Sequence, residues 1–172
     1  MAKDSPTLHM MCGKIASGKS TLSARLGAQP RTVVIAEDVW LHGLYADQLA
    51  SVADYMRAMA RFRPMIGPHI ADLLTAGVSV VLDFQANTVD ARRWMRGIVE
   101  QTQASHALHV LDVPDEVCLK RLHARNAAGT HPFTVSDAQF HHVSAHFVPP
   151  SDDEGFHIVR HSHGDGPMGE GA

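Results

Sequence analysis

The sequence predicts an α/β domain built around a parallel sheet. Short apolar runs alternate with longer amphipathic ones along the chain, and no internal repeat interrupts the alternation. Size points the same way, since 172 residues with 45% apolar content are enough for one sizeable core. The expected unit is a single domain over residues 1–163. A flexible tail is expected at 164–172, where "GDGPMGEGA" is rich in glycine and has no apolar period.

Apolar runs at residues 8–12, 32–36, 78–82, 107–111 and 156–159 read as the strands. A helix follows Gly18. A longer helical region spans about residues 48–75, where Val52, Tyr55, Met56 and Met59 recur at helical spacing. Pro64 and Pro68 predict that this region is broken into two helices, and Gly77 supplies a stop before the third strand. Residues 89–103 carry Ala91, Trp94, Met95, Ile98 and Val99 on one face, which reads as core. Residues 115–126 open on a Pro-Asp pair and turn Cys118, Leu119 and Leu122 inward.

Composition narrows the function classes. A net charge of -3 and a pI near 6.5 give no global basic field, and no basic-aromatic stripe is evident, so nucleic acid is the less favoured partner. Cys12 and Cys118 lack metal or redox spacing and read as buried free thiols in a reducing compartment. No run approaches the ~18 apolar residues of a membrane span, and the first residues are too polar for a signal peptide. A cytoplasmic protein with no membrane partner is expected. Histidines gather late in the chain, at His141, His142, His146, His161 and His163, without forming a compact zinc pattern.

The chemistry starts at "GKIASGKS". Gly13, Lys14, Ile15, Ala16, Ser17, Gly18, Lys19 and Ser20 match G-x-x-x-x-G-K-[ST] at every fixed position, with Thr21 next, between an apolar strand and a helix. The glycines let backbone N–H groups turn inward as an anion cradle at the helix N-terminus. Lys19 would reach the β- and γ-phosphates of a nucleoside triphosphate, and the Ser20 hydroxyl would sit on Mg²⁺. Asp83, closing "VSVVLDF", stands where a carboxylate can hold the Mg²⁺ shell.

Two acidic residues, Glu37 and Asp38, follow the second strand. Asp38 has two compatible roles, as cap of the next helix and as acceptor of a proton from an attacking hydroxyl. Arg121 and Arg125 are four apart, hence on one helical face, and "NAAGTHPFT" after them reads as a mobile lid. Arg61, Arg63, Arg92 and Arg93 are further candidates for contact with an acceptor.

Taken in order, "GKIASGKST", "EDVW", "GVSVVLDFQANTVDARRW", "LDVPDEVCLKRLHARN" and "HPFTVSDAQFHHVSAHFVPPSDDEG" resemble the small P-loop kinases grouped around zeta toxin, the polynucleotide kinase domain, chloramphenicol phosphotransferase and gluconate kinase. Such chains are often labelled AAA-family ATP-binding proteins. The similarity spans about residues 7–160. It implies a P-loop NTPase fold with a five-stranded parallel sheet in the order 2-3-1-4-5, helices on both faces and a lid over ATP. It also implies that Asp38 is the general base and that Arg125, with Arg121 as second candidate, stabilises the moving phosphoryl group. The zeta-toxin-like pattern carries an arginine near its aspartate, whereas "EDVWLHGLY" offers aromatic and apolar residues, which argues against a nucleotide-sugar acceptor. The expected protein is a monomeric or homodimeric, ATP- and Mg²⁺-dependent kinase acting on a hydroxyl of a small molecule. The alternatives are a nucleotide switch acting on a protein partner and a nucleic-acid 5′-end kinase.

Overall fold

Five parallel strands, β1 (Thr7–Cys12), β2 (Thr32–Ala36), β3 (Ser79–Asp83), β4 (Ser105–Asp112) and β5 (Ile158–Ser162), form one sheet in the order β2-β3-β1-β4-β5. The computed structural model describes residues 5–129 and 134–162. The helices among those residues are α1 (Lys19–Gly27), α2 (Glu37–Tyr45), α3 (Val52–Thr75), α4 (Val89–Thr102), α5 (Asp115–Ala128) and α6 (Asp137–Ser144). The order expected from the family resemblance is therefore the observed one. β1 is central: Met10 aligns with Leu82 of β3 on one side and Leu108 of β4 on the other. The strand period of two then sorts its side chains between layers. Leu8, Met10 and Cys12 enter the main core with α3 and α4, while Met11 joins Val81 and Leu22 of α1 on the opposite face. A third cluster of Cys118, Leu122 and Phe140 ties α5 to α6 and packs on Ile15 and Ala16 of the glycine-rich loop.

The strand ends differ from the apolar runs by up to three residues, and β2 coincides with its run. Asp83 is the last residue of β3, and β5 begins at Ile158 after Phe156 has packed against the core.

The expectation of two helices between residues 48 and 75 is corrected. A short 3₁₀ turn at Ala46–Gln48 precedes one unbroken α3, with Pro64 and Pro68 inside it. Each proline removes a bond to the carbonyl four residues back, at Ala60 and Pro64, and costs about 3 kcal/mol. Ala60, Pro64 and Pro68 all face solvent, so water can meet the freed carbonyls. The opposite face buries Met59, Phe62, Ile66, Ile70 and Leu74. At roughly 1.5–3 kcal/mol for each such side chain, burial outweighs the two prolines. Ser51 caps the start, its hydroxyl accepting from the Asp54 N–H at 3.2 Å. At the other end Gly77, with φ 81°, makes the expected stop. Met56, read as part of the apolar stripe, points to solvent instead. The expected tail at 164–172 lies outside the described residues.

Candidate active site

The carboxyl ends of the strands open onto one cavity of about 1050 Å³. Its floor is the loop between β1 and α1. Gly18, with φ 104°, and Ala16, with φ 59°, adopt left-handed conformations that turn the loop before the first helical turn. A Cβ at Gly13 would come within 2.6 Å of Ser17 Oγ and 3.2 Å of Leu111, so only glycine lets the chain leave β1 here. Lys19 Nζ donates to the carbonyls of Gly13 and Lys14, each at 2.7 Å. Burial lowers the Lys19 pKa to about 8, while the Asp83 carboxylate opposes the shift.

These features fit a phosphate chain. The loop is a cradle that a side chain at Gly13 would fill, Ser17 Oγ is buried beside it without a hydrogen-bond partner, and Lys19 is a half-buried cation. They also fit Mg²⁺ at the same place. The Ser20 hydroxyl and the Asp83 carboxylate both line the cavity, and two oxygen ligands with water completing the shell suit that ion. Among the described residues no group of three or more His, Cys, Asp or Glu could hold a metal. His163 lies outside them.

At the β2 end the first turn of α2 brings Glu37 and Asp38 to the cavity wall. The capping role considered for Asp38 is corrected: Ala36 occupies the cap position, and Asp38 is the second residue inside the helix. Its charge still favours the positive N-terminal end of α2. Glu37 had no role in the sequence reading and is the more unusual group. It is 6% exposed, and the Tyr55 hydroxyl of α3 donates to it. Burial pushes the Glu37 carboxyl up to about 7; the Tyr55 bond opposes the shift and the Asp38 charge adds to it. Tyr55 is itself driven well above the usual phenol range by burial and by the charge of Glu37.

At the β4 end Arg121 and Arg125 of α5 both line the cavity, as their four-residue spacing required. Arg121 donates to the Ser17 carbonyl at 3.2 Å and so braces the loop. Arg125 Nε is buried without a partner, and burial lowers the Arg125 pKa against the pull of Asp38. The neighbouring Lys14 is paired with Asp115 at the start of α5. The lid expected over residues 126–134 lies partly outside the described residues; α5 ends at Ala128, and Gly129 follows in a left-handed conformation.

Arg92, one of the candidate acceptor contacts, belongs elsewhere. It is fully buried, bonded to Glu154 at 2.6 and 2.8 Å and to the carbonyls of Ala86 and Val148. Arg93 pairs with Asp90 on the surface, and Arg63 sits over the Trp94 ring at 5.3 Å. Arg61 does not line the main cavity. Both cysteines are buried free thiols, and burial pushes Cys12 up to about 11, which makes it a poor nucleophile.

A family model described as an AAA domain matches residues 8–150. The chain belongs to the AAA domain family. None of the curated proteins compared matches it. Among solved structures this AAA domain is similar to a candidate kinase from Chloroflexus aurantiacus, with 22% identity, 92% of this chain and 86% of that one covered, and a TM-score of 0.70. Kti12 of Chaetomium thermophilum, solved with ADP-AlF3, gives 13% identity, 94% and 92% coverage and a TM-score of 0.71. The APS kinase CysC of Mycobacterium tuberculosis, solved with AMPPNP and APS, gives 22%, 94%, 90% and 0.59. At such identities the likeness carries the fold alone. No helix among the described residues is long and apolar enough to cross a membrane.

Proposed function

We propose that this AAA domain is an ATP- and Mg²⁺-dependent kinase that transfers the γ-phosphoryl group to a hydroxyl of a small molecule. One observation carries the reading: a single cavity is lined by Lys19 of the phosphate cradle, by Asp83 and Ser20, by Asp38 at one end and by Arg125 at the other. A switch needs only the cradle and the metal ligands. The carboxylate at the β2 end is the part that a group transfer adds.

Lys19 and the loop N–H groups bind the phosphates, and Ser20 with Asp83 would hold the metal. When bound, Mg²⁺ neutralises charge on the phosphoryl oxygens and fixes their geometry. Asp38 takes the proton of the acceptor hydroxyl as its oxygen bonds to phosphorus. The bond from phosphorus to the bridging oxygen breaks, and its electron pair leaves with ADP. Arg125, with Arg121 beside it, faces the negative charge that spreads over the phosphoryl oxygens. A cytoplasmic location fits this use of ATP.

The test is ADP production from Mg-ATP by wild type and Asp38→Asn, with and without a panel of sugars, aminoglycosides, amphenicols, nucleosides and 5′-hydroxyl oligonucleotides. Acceptor-stimulated turnover falling by roughly 10²–10⁴-fold in the variant is expected. A slow rate that ignores every acceptor and survives the substitution would overturn the kinase reading and point to a protein-coupled switch.

A further inference from the structure

Asn87 lies just beyond β3, before α4, and is 8% exposed. Its side chain grips the two peptide groups that flank Gly13: Oδ1 accepts from the Gly13 N–H at 2.8 Å, and Nδ2 donates to the Gly13 carbonyl at 2.9 Å. The same Gly13 carbonyl accepts from Lys19 Nζ at 2.7 Å. Two donors therefore share one buried oxygen, and only one of them is mobile.

We propose that Asn87 is a positioning residue that keeps the Gly13 carbonyl satisfied when Lys19 turns from the loop toward a bound nucleotide's phosphates. The inference rests on the nucleotide-binding part of the proposed function. The Lys19 ammonium has three N–H donors, so once two of them meet phosphate oxygens it can keep only one of its two loop carbonyls. The Lys14 carbonyl belongs to a half-buried residue and also accepts from the Ser17 N–H at 3.2 Å, whereas Gly13 is buried and its carbonyl has the Asn87 amide as its second donor. An unmet buried carbonyl is costly, so without Asn87 the lysine is held back in the loop. A primary amide is the side chain that both donates and accepts at this size, as Gly13 requires.

Asn87 is itself fixed from behind. Its carbonyl accepts from the Val148 N–H at 2.9 Å, and the preceding Ala86 N–H donates to Met11 of β1 at 2.9 Å. Buried Arg92 ties the Ala86 and Val148 carbonyls together at 3.0 and 2.8 Å, and Glu154 holds Arg92. This packing clamps the backbone on both sides of the amide. The accuracy of the cradle thus depends on the segment that leads into β5.

The experiment is calorimetric binding of Mg-ADP, with no acceptor present, to wild type, Asn87→Asp, Lys19→Met and the double variant, alongside thermal unfolding of each. Asn87→Asp keeps the acceptor and loses the donor, and should bind Mg-ADP about tenfold more weakly. In the Lys19→Met background, where no lysine has to leave Gly13, the same change should cost less than twofold. Equal losses in both backgrounds, or a Kd within twofold of wild type in a folded Asn87→Asp protein, overturn the proposal. Asn87→Ser replaces Asn87→Asp, with the same expected losses, if the buried charge prevents folding. Mg-ADP binding without turnover on any acceptor removes the kinase reading and leaves this one intact. Absence of binding by wild type defeats both.

Discussion

Glu37→Gln isolates the energetic consequence of burying a carboxyl at the β2 end of the cavity. The substitution keeps shape, and its amide oxygen can still accept from Tyr55. In the folded protein the carboxyl titrates near 7 against 4.5 for the ordinary group. Between those values the native state holds a proton that the unfolded chain has lost. Stability contributed by this group therefore falls as pH rises from 4.5 to about 7, and is level above. The shift amounts to about 3 kcal/mol. His9, His106 and His109 act in the opposite sense. Burial lowers their pKa values, so the unfolded chain holds the extra protons and stability rises with pH through the histidine range. Because both proteins contain these histidines, subtracting one pH profile from the other removes them. Urea unfolding from pH 4.5 to 8 should show the variant gaining on wild type by about 3 kcal/mol, nearly all of it by pH 7. A difference that stays constant with pH would refute the assignment of a raised Glu37 pKa.

On the proposed reading Lys19 binds phosphate as a cation, and burial lowers its pKa to about 8 in the free protein, so Mg-ADP affinity should weaken by up to tenfold per pH unit above 8. A calorimetric profile flat from pH 7 to 9.5 would contradict this. Glu154→Gln leaves the fully buried Arg92 without its counter-charge and should cost about 3 kcal/mol in urea unfolding. Pro64→Ala and Pro68→Ala each restore a backbone bond on the exposed face of α3 and should stabilise the protein by about 1–3 kcal/mol. Loss of stability in either would mean that the prolines have a packing role.

What could be read in advance was local. The cradle is a run of eight residues, and β1, β3 and β4 are apolar because both faces of a central parallel strand are buried. The order of the strands needed the family resemblance, since periodicity says nothing about which strands pair. The bond from Tyr55 to Glu37 spans 18 residues, Arg92 reaches Glu154 across 62, and Asn87 reaches Gly13 across 74. No spacing rule connects such pairs, so Arg92 looked like any other arginine on an amphipathic helix. The prolines of α3 misled for a related reason. Their rule describes an isolated helix, whereas this one is held by side chains packed against β3 and α4.

The strand order also decides which chemistry the cavity can do. Neighbouring strands lie about 4.8 Å apart, so Asp38, following β2, stands about two strand spacings from the cradle that follows β1. β3 fills the interval and brings Asp83 toward Lys19. Arg121 and Arg125 come from α5, which follows β4 on the far side of β1. An in-line transfer needs the attacking oxygen and the leaving oxygen on opposite sides of phosphorus. On the proposed reading, with the triphosphate held in the cradle that follows β1, a hydroxyl at Asp38 would approach from the β2 side. Were β2 paired directly with β1, the proposed base would crowd the metal ligand and leave no room for an acceptor. On the proposed reading, the inserted β3 is therefore what separates acceptor from donor.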